Sequence, residues 1–373
     1  MQYLEAVSRS PRVSWYRLLG EHQGAVQRWV VSTPQSIAVC NQPEVVGVEF
    51  SQKLREAMAA ALSTAPFMSL LRSVSSAQLC IMNFLRGGLN FDLRNALHDA
   101  LGSNLHATCF MSSQRSRKEG RWVVKEDMYR KMQIPKGSVL LVGDVVATGV
   151  TVDNGFEVIV QHLDTTDTPI TGVVFFTIGC HKIEKVLEKV HTRLAARFPG
   201  YRETHVVYLE SKLRLVDSST HLMIAIQGTD LIKRHALLSP EFEASQYTAF
   251  GPPLERCAIY DAGSRAFDVA EYFNDVIRYW EQVQQLARRG YTLAEALKER
   301  WPERDYADRE RFFEVKHREW PGTDDGFLEE LWSSCQARWT PEFLRQAQTS
   351  EALEAVCEQR LSTLRGILPD RGH

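Results

Sequence analysis

From about Ser69 to Glu210 the chain alternates short apolar runs with amphipathic stretches. The pattern predicts strands over Gln78–Leu85, Leu105–Ser112, Val139–Asp144, Ile170–Gly179 and His205–Leu209. Between them the 3.6-residue period predicts helices over Phe91–Leu101, Val152–Leu163 and Lys182–Phe198. Strands that alternate with helices in this way imply an α/β fold, an open and mainly parallel sheet with helices on both faces. In such a sheet the ligand is expected at the carboxyl ends of neighbouring central strands, where the topology switches direction. Residues 1–68 mix two apolar runs with a helix over Ser51–Leu62 and are expected to pack onto the core as an extension. His221–Gln227 is a further strand candidate, followed by a loop-rich passage with Pro240, Gly251, Pro252 and Pro253. Beyond Ala266 the pattern is helical almost throughout. The expected division is an extension (1–68), an α/β domain (69–265) and a helical C-terminal domain (266–373). The tryptophans of that tail, Trp280, Trp301, Trp320, Trp332 and Trp339, stand among mixed charges and are expected to anchor its core.

The stretch Val139-Leu140-Leu141-Val142-Gly143-Asp144-Val145-Val146-Ala147-Thr148-Gly149-Val150-Thr151 is the sharpest chemical signal. An apolar strand ends on an acid, and a small Gly/Thr loop then opens a helix. Backbone N–H groups in such a loop, together with the helix N-terminus, can face an anion. Gly149 lets the main chain approach it, and Thr148 and Thr151 add hydroxyl donors. Asp144 stands where it could take the hydroxyls of a sugar. Upstream, the strand ending at Leu85 runs into Arg86-Gly87-Gly88, two glycines that permit close backbone approach and an arginine that brings charge. Between these motifs lies a polar, cationic excursion that contains Arg115, Arg117, Lys118 and Lys131. Taken singly, each loop is also consistent with a plain strand-to-helix turn, and the excursion with a solvated loop.

The three motifs in this order resemble type I phosphoribosyltransferases over roughly residues 50–265. The resemblance implies that Ala147, Thr148, Gly149, Val150 and Thr151 hold the 5-phosphate of phosphoribosyl pyrophosphate (PRPP). It implies that Arg86, Gly87 and Gly88 hold the pyrophosphate, and that Arg115, Arg117, Lys118 and Lys131 belong to a flexible lid that excludes water. Asp144 and Arg86 are then the catalytic candidates. The family usually carries two consecutive acids, and the first is Gly143 here. Tyr129-x-Lys131 followed by Pro135 is similar to the uracil branch, as is Asp261-Ala262-Gly263-x-Arg265. In that branch the latter segment reads the pyrimidine, which makes Tyr260, Asp261, Gly263 and Arg265 base-binding candidates. The Pro-Gly that commonly precedes the segment is missing, and the segment lies farther downstream than in that branch.

The 373 residues carry 44 Lys or Arg against 46 Asp or Glu, so no global field recruits nucleic acid or an anionic membrane. The cysteines at 40, 80, 109, 180, 257, 335 and 357 are scattered without a C-x-x-C pair, which points to reduced thiols and a cytoplasmic location. No signal peptide and no run of about 18 apolar residues is present, so no membrane span is expected.

The resemblance implies Mg²⁺ bound mainly through PRPP and pyrophosphate rather than by a protein cage. PRPP and a nucleobase, uracil-like by the branch motifs, are the expected ligands. A homodimer or a protein partner of the helical tail is compatible with the pattern. The competing expectation is a PRPP or nucleotide sensor, catalytically weakened at Gly143 and acting through that tail.

Overall fold

The computed structural model describes residues 2–20, 24–118, 121–220, 222–223, 230–247, 254–255, 262–302 and 308–367. The chain opens with strands β1 (Tyr3–Ser8), β2 (Ser14–Leu19) and β3 (Gln27–Ser32), then helices α1 (Pro34–Asn41), α2 (Gly47–Ser63) and α3 (Met68–Arg72). The central run is β4 (Leu79–Leu85), α4 (Leu93–Leu101), β5 (Ala107–Lys118), β6 (Arg121–Lys131), β7 (Ser138–Val146), α5 (Val150–Thr165), β8 (Ile170–Cys180), α6 (Lys182–Arg197) and β9 (Glu203–Leu215). It is followed by β10 (Leu231–Leu238) and α7 (Pro240–Ser245).

These strands form one ten-stranded sheet in the order β1-β2-β3-β9-β8-β7-β4-β5-β6, with β10 paired to β9. The six strands from β3 to β5 in that order run parallel to one another. A parallel strand covered on both faces must be apolar on both, which explains the unbroken runs in β4, β7 and β8. Along β7, Val139 and Leu141 face a core built with Leu54 and Met58 of α2, Leu97 of α4 and Phe91 in the turn before α4. Leu140 and Val142 face the opposite core, with Val152, Phe156 and Ile159 of α5 and Leu187 of α6. From β4 the chain moves to β5 on one side and returns to β7 on the other. The β4/β7 crevice is therefore the switch point of the sheet.

The first 32 residues differ from expectation in kind, because β1, β2 and β3 are strands of the main sheet and β3 pairs directly with β9. The cationic excursion is a hairpin, with β5 and β6 antiparallel from Phe110↔Lys131 to Lys118↔Arg121. The strand expected over 221–227 falls largely outside the described residues.

The helical tail comprises α8 (Ala262–Phe267), α9 (Val269–Ala287), α10 (Leu293–Arg300), α11 (Arg309–Glu319), α12 (Asp325–Arg338), α13 (Pro341–Gln346) and α14 (Ser350–Ile367). It divides between two environments. Tyr272, Phe273 and Trp280 of α9, Leu297 of α10 and Leu361 of α14 share a separate core. Phe312 of α11, Trp320, and Leu328 and Leu331 of α12 pack into the sheet's own second core, where Trp320 Nε1 donates to the Leu238 carbonyl at 3.0 Å. No described helix is long and apolar enough to cross a membrane. The six described cysteines are free and buried.

One carboxylate lies wholly inside the fold. Glu210 has φ 66° within a bulge of β9. It accepts hydrogen bonds from Ser32 Oγ (2.7 Å), the Thr33 N–H (3.1 Å), Ser36 Oγ and Ser239 Oγ (2.9 Å). Burial pushes its pKa up from 4.5 to about 7, against the opposing pull of these donors. The folded state thus holds a proton that the unfolded chain releases near pH 4.5, so this group's contribution is complete below that range and is lost as pH rises through about 7. The loss is on the order of 3 kcal/mol. Urea midpoints at pH 4.5, 6 and 8 should show Glu210→Gln gaining relative to the unsubstituted protein as pH rises. Parallel profiles would mean that Glu210 is ionised in the fold across this range.

Candidate active site

Two loops meet at the β4/β7 switch point. On the β7 side the strand runs through Asp144 to Val146, and Gly149, at φ 78°, turns the chain into α5. A left-handed residue at this position favours glycine. The N-cap, Gly149, brings no side chain to cap the α5 N-terminus. Its first-turn N–H groups have no helical acceptor by geometry, and the Val150 N–H meets Thr148 Oγ1 only at the long distance of 3.5 Å. The loop Ala147–Thr151 is half-buried, so this donor set is open to one side.

On the β4 side the Leu85–Arg86 peptide is cis, and residues Gly87–Phe91 form a 3-10 turn. A Cβ on Gly87 would lie 2.7 Å from Asp144 Oδ1, and one on Gly88 would lie 2.9 Å from the Gly143 carbonyl oxygen. The two glycines are what let this loop close against β7. Asp144 sits at the seam, where Oδ1 also accepts the Val145 N–H at 2.9 Å. Arg86 is exposed at the lip. The structure thus brings together Arg86, Gly87, Gly88, Asp144 and the Ala147–Thr151 loop.

Gly143 is not an empty position. A Cβ there would fall 2.6 Å from Phe91 Cγ, and the Phe91 ring is fully buried. Consecutive strand residues face opposite sides. The side chain of residue 143 would point into the core beneath α4, so of the two consecutive positions 143 and 144 it is Asp144 that serves the crevice. Asn90 fixes the turn that carries Phe91: its Nδ2 donates to the Ala262 carbonyl at 2.7 Å, and its Oδ1 accepts from Ser51 Oγ at 3.1 Å. The sequence reading missed Asn90 and Phe91. It also missed Lys182, whose Cβ lies 3.2 Å from where a Gly149 Cβ would be. The available signal was their position directly after a Gly-Gly pair and directly after a strand end.

The remaining candidates lie elsewhere. Arg115, Arg117 and Lys118 are on the outer part of β5, opposite Val124, Trp122 and Arg121, and Lys131 is an exposed residue at the base of the hairpin. Tyr260 and Asp261 are outside the described residues. Gly263 and Arg265 belong to α8, which packs beside the 3-10 turn. The base-binding expectation for Arg265 is corrected. Its side chain is fully buried and donates to the carbonyls of Val45 (2.6 Å), Val39 (3.1 Å) and Gln42 (2.6 Å), with Phe50 and Tyr272 against the guanidinium. Its charge satisfies the last turn of α1 and the chain that leads from it to α2.

No group of three or more His, Cys, Asp or Glu able to hold a metal is found among the described residues. At the crevice Asp144 is a single carboxylate beside two backbone loops. That donor set suits an Mg²⁺ ion that takes most of its oxygen ligands from a bound diphosphate and from water.

No protein-family model and no curated protein matches the sequence. Among solved structures, an AQ2163 protein from Aquifex aeolicus is similar at 15% identity and TM-score 0.31, covering 50% of this chain and 89% of that one. A purine phosphoribosyltransferase from Pyrococcus horikoshii is similar at 14% identity and TM-score 0.24, covering 42% and 81%. A hypoxanthine phosphoribosyltransferase from Staphylococcus aureus is similar at 13% identity and TM-score 0.25, covering 48% and 84%. The crevice itself carries the functional reading.

Proposed function

We propose that the protein transfers a ribose 5-phosphate group between PRPP and a nucleobase, with pyrophosphate as co-product. The observation that supports it is the apposition of an uncapped helix N-terminus and a Gly-Gly loop across one carboxylate, Asp144, at the switch point of the sheet. The N–H groups of Thr148–Thr151 bind the 5-phosphate. Asp144 orients the ribose hydroxyls and stabilises the positive charge that develops on the sugar. Gly87, Gly88 and Arg86 receive the pyrophosphate. Magnesium neutralises the diphosphate when bound. A reaction through an oxocarbenium-like sugar depends on positioning and electrostatics, and needs no covalent nucleophile. Closure of the β5–β6 hairpin excludes water. The acceptor remains a nucleobase as a class: the uracil reading loses Arg265, which is committed to the fold.

One observation favours a second reading. With Phe91 in the space of the first acid, the site has half the usual carboxylate pair, as expected of a PRPP or nucleotide sensor. The deciding experiment incubates the protein with PRPP, Mg²⁺ and a panel of purine and pyrimidine bases, and follows pyrophosphate release. Base-dependent release is expected. PRPP binding without release from any base would give precedence to the sensor.

A further inference from the structure

A cavity of about 1310 Å³ lies away from the crevice. It lies beyond the outer flank of α6, and its floor includes Arg28 of β3 and Lys212 of β9, closed by β10 and α11. None of the residues that form the two crevice loops lines it. Six Lys or Arg and two His line the cavity, against four Glu.

Each of the four carboxylates is already engaged from within the protein. Glu184 takes the Tyr208 hydroxyl at 2.8 Å and the Lys212 ammonium at 3.2 Å. Glu188 accepts the N–H groups of Ala25 and Val26, both at 3.2 Å. Glu243 and Glu319 share Lys316, each at 2.7 Å. The exposed side chains of Lys185 on α6 and Arg214 on β9 enter none of these pairs, whereas Lys233 of β10 donates to Asn41 Oδ1 (3.2 Å) and Gln246 Oε1 (2.9 Å) and adds its positive charge to the wall. His181 at the lip reports the resulting field. Desolvation lowers its pKa, and the cations of Lys182, Lys212 and Lys185 lower it further. Trp301 offers an apolar wall beside these cations.

We infer that this cavity is a second ligand site, separate from the crevice, that binds a small polyanion of the nucleoside polyphosphate class. Lys185 and Arg214 meet the phosphates, the charge of Lys233 adds to the field that holds them, and Trp301 meets the base. A volume above the roughly 300–1,000 Å³ of ordinary small-molecule sites accommodates such a ligand.

The test is titration calorimetry of the full chain with ATP and, separately, inorganic tripolyphosphate. A Gly149→Val chain keeps the two sites distinguishable, because it blocks the crevice loop and leaves the cavity intact. Binding of ATP is expected to persist in Gly149→Val and to weaken at least about tenfold in Lys185→Glu/Arg214→Glu. Lys189→Glu, on the same helix but paired with Asp153 outside the cavity, should leave it unchanged. Tripolyphosphate alone should bind more weakly than ATP if Trp301 contributes. Should the charge reversal impair folding, Lys185→Gln/Arg214→Gln serves as the milder variant. Loss of binding in Gly149→Val with no effect of the Lys185 and Arg214 variants would overturn the inference by placing the anion in the crevice. Absence of binding by either probe at millimolar concentration would overturn it as well.

Discussion

Gly143→Asp is expected to cost the protein about 3 kcal/mol or more of stability and to yield no gain in pyrophosphate release. From sequence alone the substitution looks restorative, because it returns the first acid of the expected pair. The structure reverses that expectation. The new Cβ would stand 2.6 Å from Phe91 Cγ, and the carboxylate would continue into an apolar core between β7 and the helices on that face. Overpacking and an unpaired buried charge then act together. Phe91→Ala should also destabilise, by about 3 to 5 kcal/mol, through the cavity it opens. In the double variant the two losses should fall short of their sum, since the missing ring makes room for the carboxylate. Urea midpoints of the four proteins test this. A Gly143→Asp protein as stable as its parent, with increased turnover, would place residue 143 in the crevice after all.

The part of the site legible in the sequence was the part built from contiguous residues. A strand, an acid, a Gly/Thr loop and an uncapped helix follow one another between Val139 and Thr165, so local pattern was enough to read them. The same holds for β4 and its Gly-Gly turn. The contribution of Phe91 was not legible, because it depends on which side of β7 residue 143 faces and on a ring carried by another segment. Arg265 misled for a related reason. A charged residue in a motif reads as a contact for ligand, but here it is buried on the carbonyl of Val39 in the last turn of α1 and those of Gln42 and Val45 after it. The edges of the sheet were also poorly legible. Strands β1 to β3 are short, and their place beside β9 is fixed by pairing across more than 170 residues of sequence, as in Trp29↔Val207. The cationic hairpin looked like a loop because its charges outweigh its alternation. Pairing along β5 and β6 decides its conformation.

Replacement of Asp144 by Asn is expected to lower turnover by roughly two to three orders of magnitude, about 3 to 4 kcal/mol of transition-state stabilisation, while PRPP affinity changes by less than about tenfold. The substitution is nearly isosteric, which matters at a seam where Oδ1 lies 2.7 Å from the place of a Gly87 Cβ. An asparagine oxygen can still accept the Val145 N–H that now binds Oδ1 at 2.9 Å. What it cannot supply is the negative charge. A neutral amide still hydrogen-bonds the ribose hydroxyls of bound PRPP, so the ground state loses little. The sugar acquires positive charge only on the way to the transition state, so the lost carboxylate is felt there. Single-turnover pyrophosphate release and calorimetric PRPP binding separate the two effects. A parallel fall in both would assign Asp144 to substrate binding alone, and with the space beside Gly143 already filled by Phe91, neither position of the expected acid pair would then stabilise the cation.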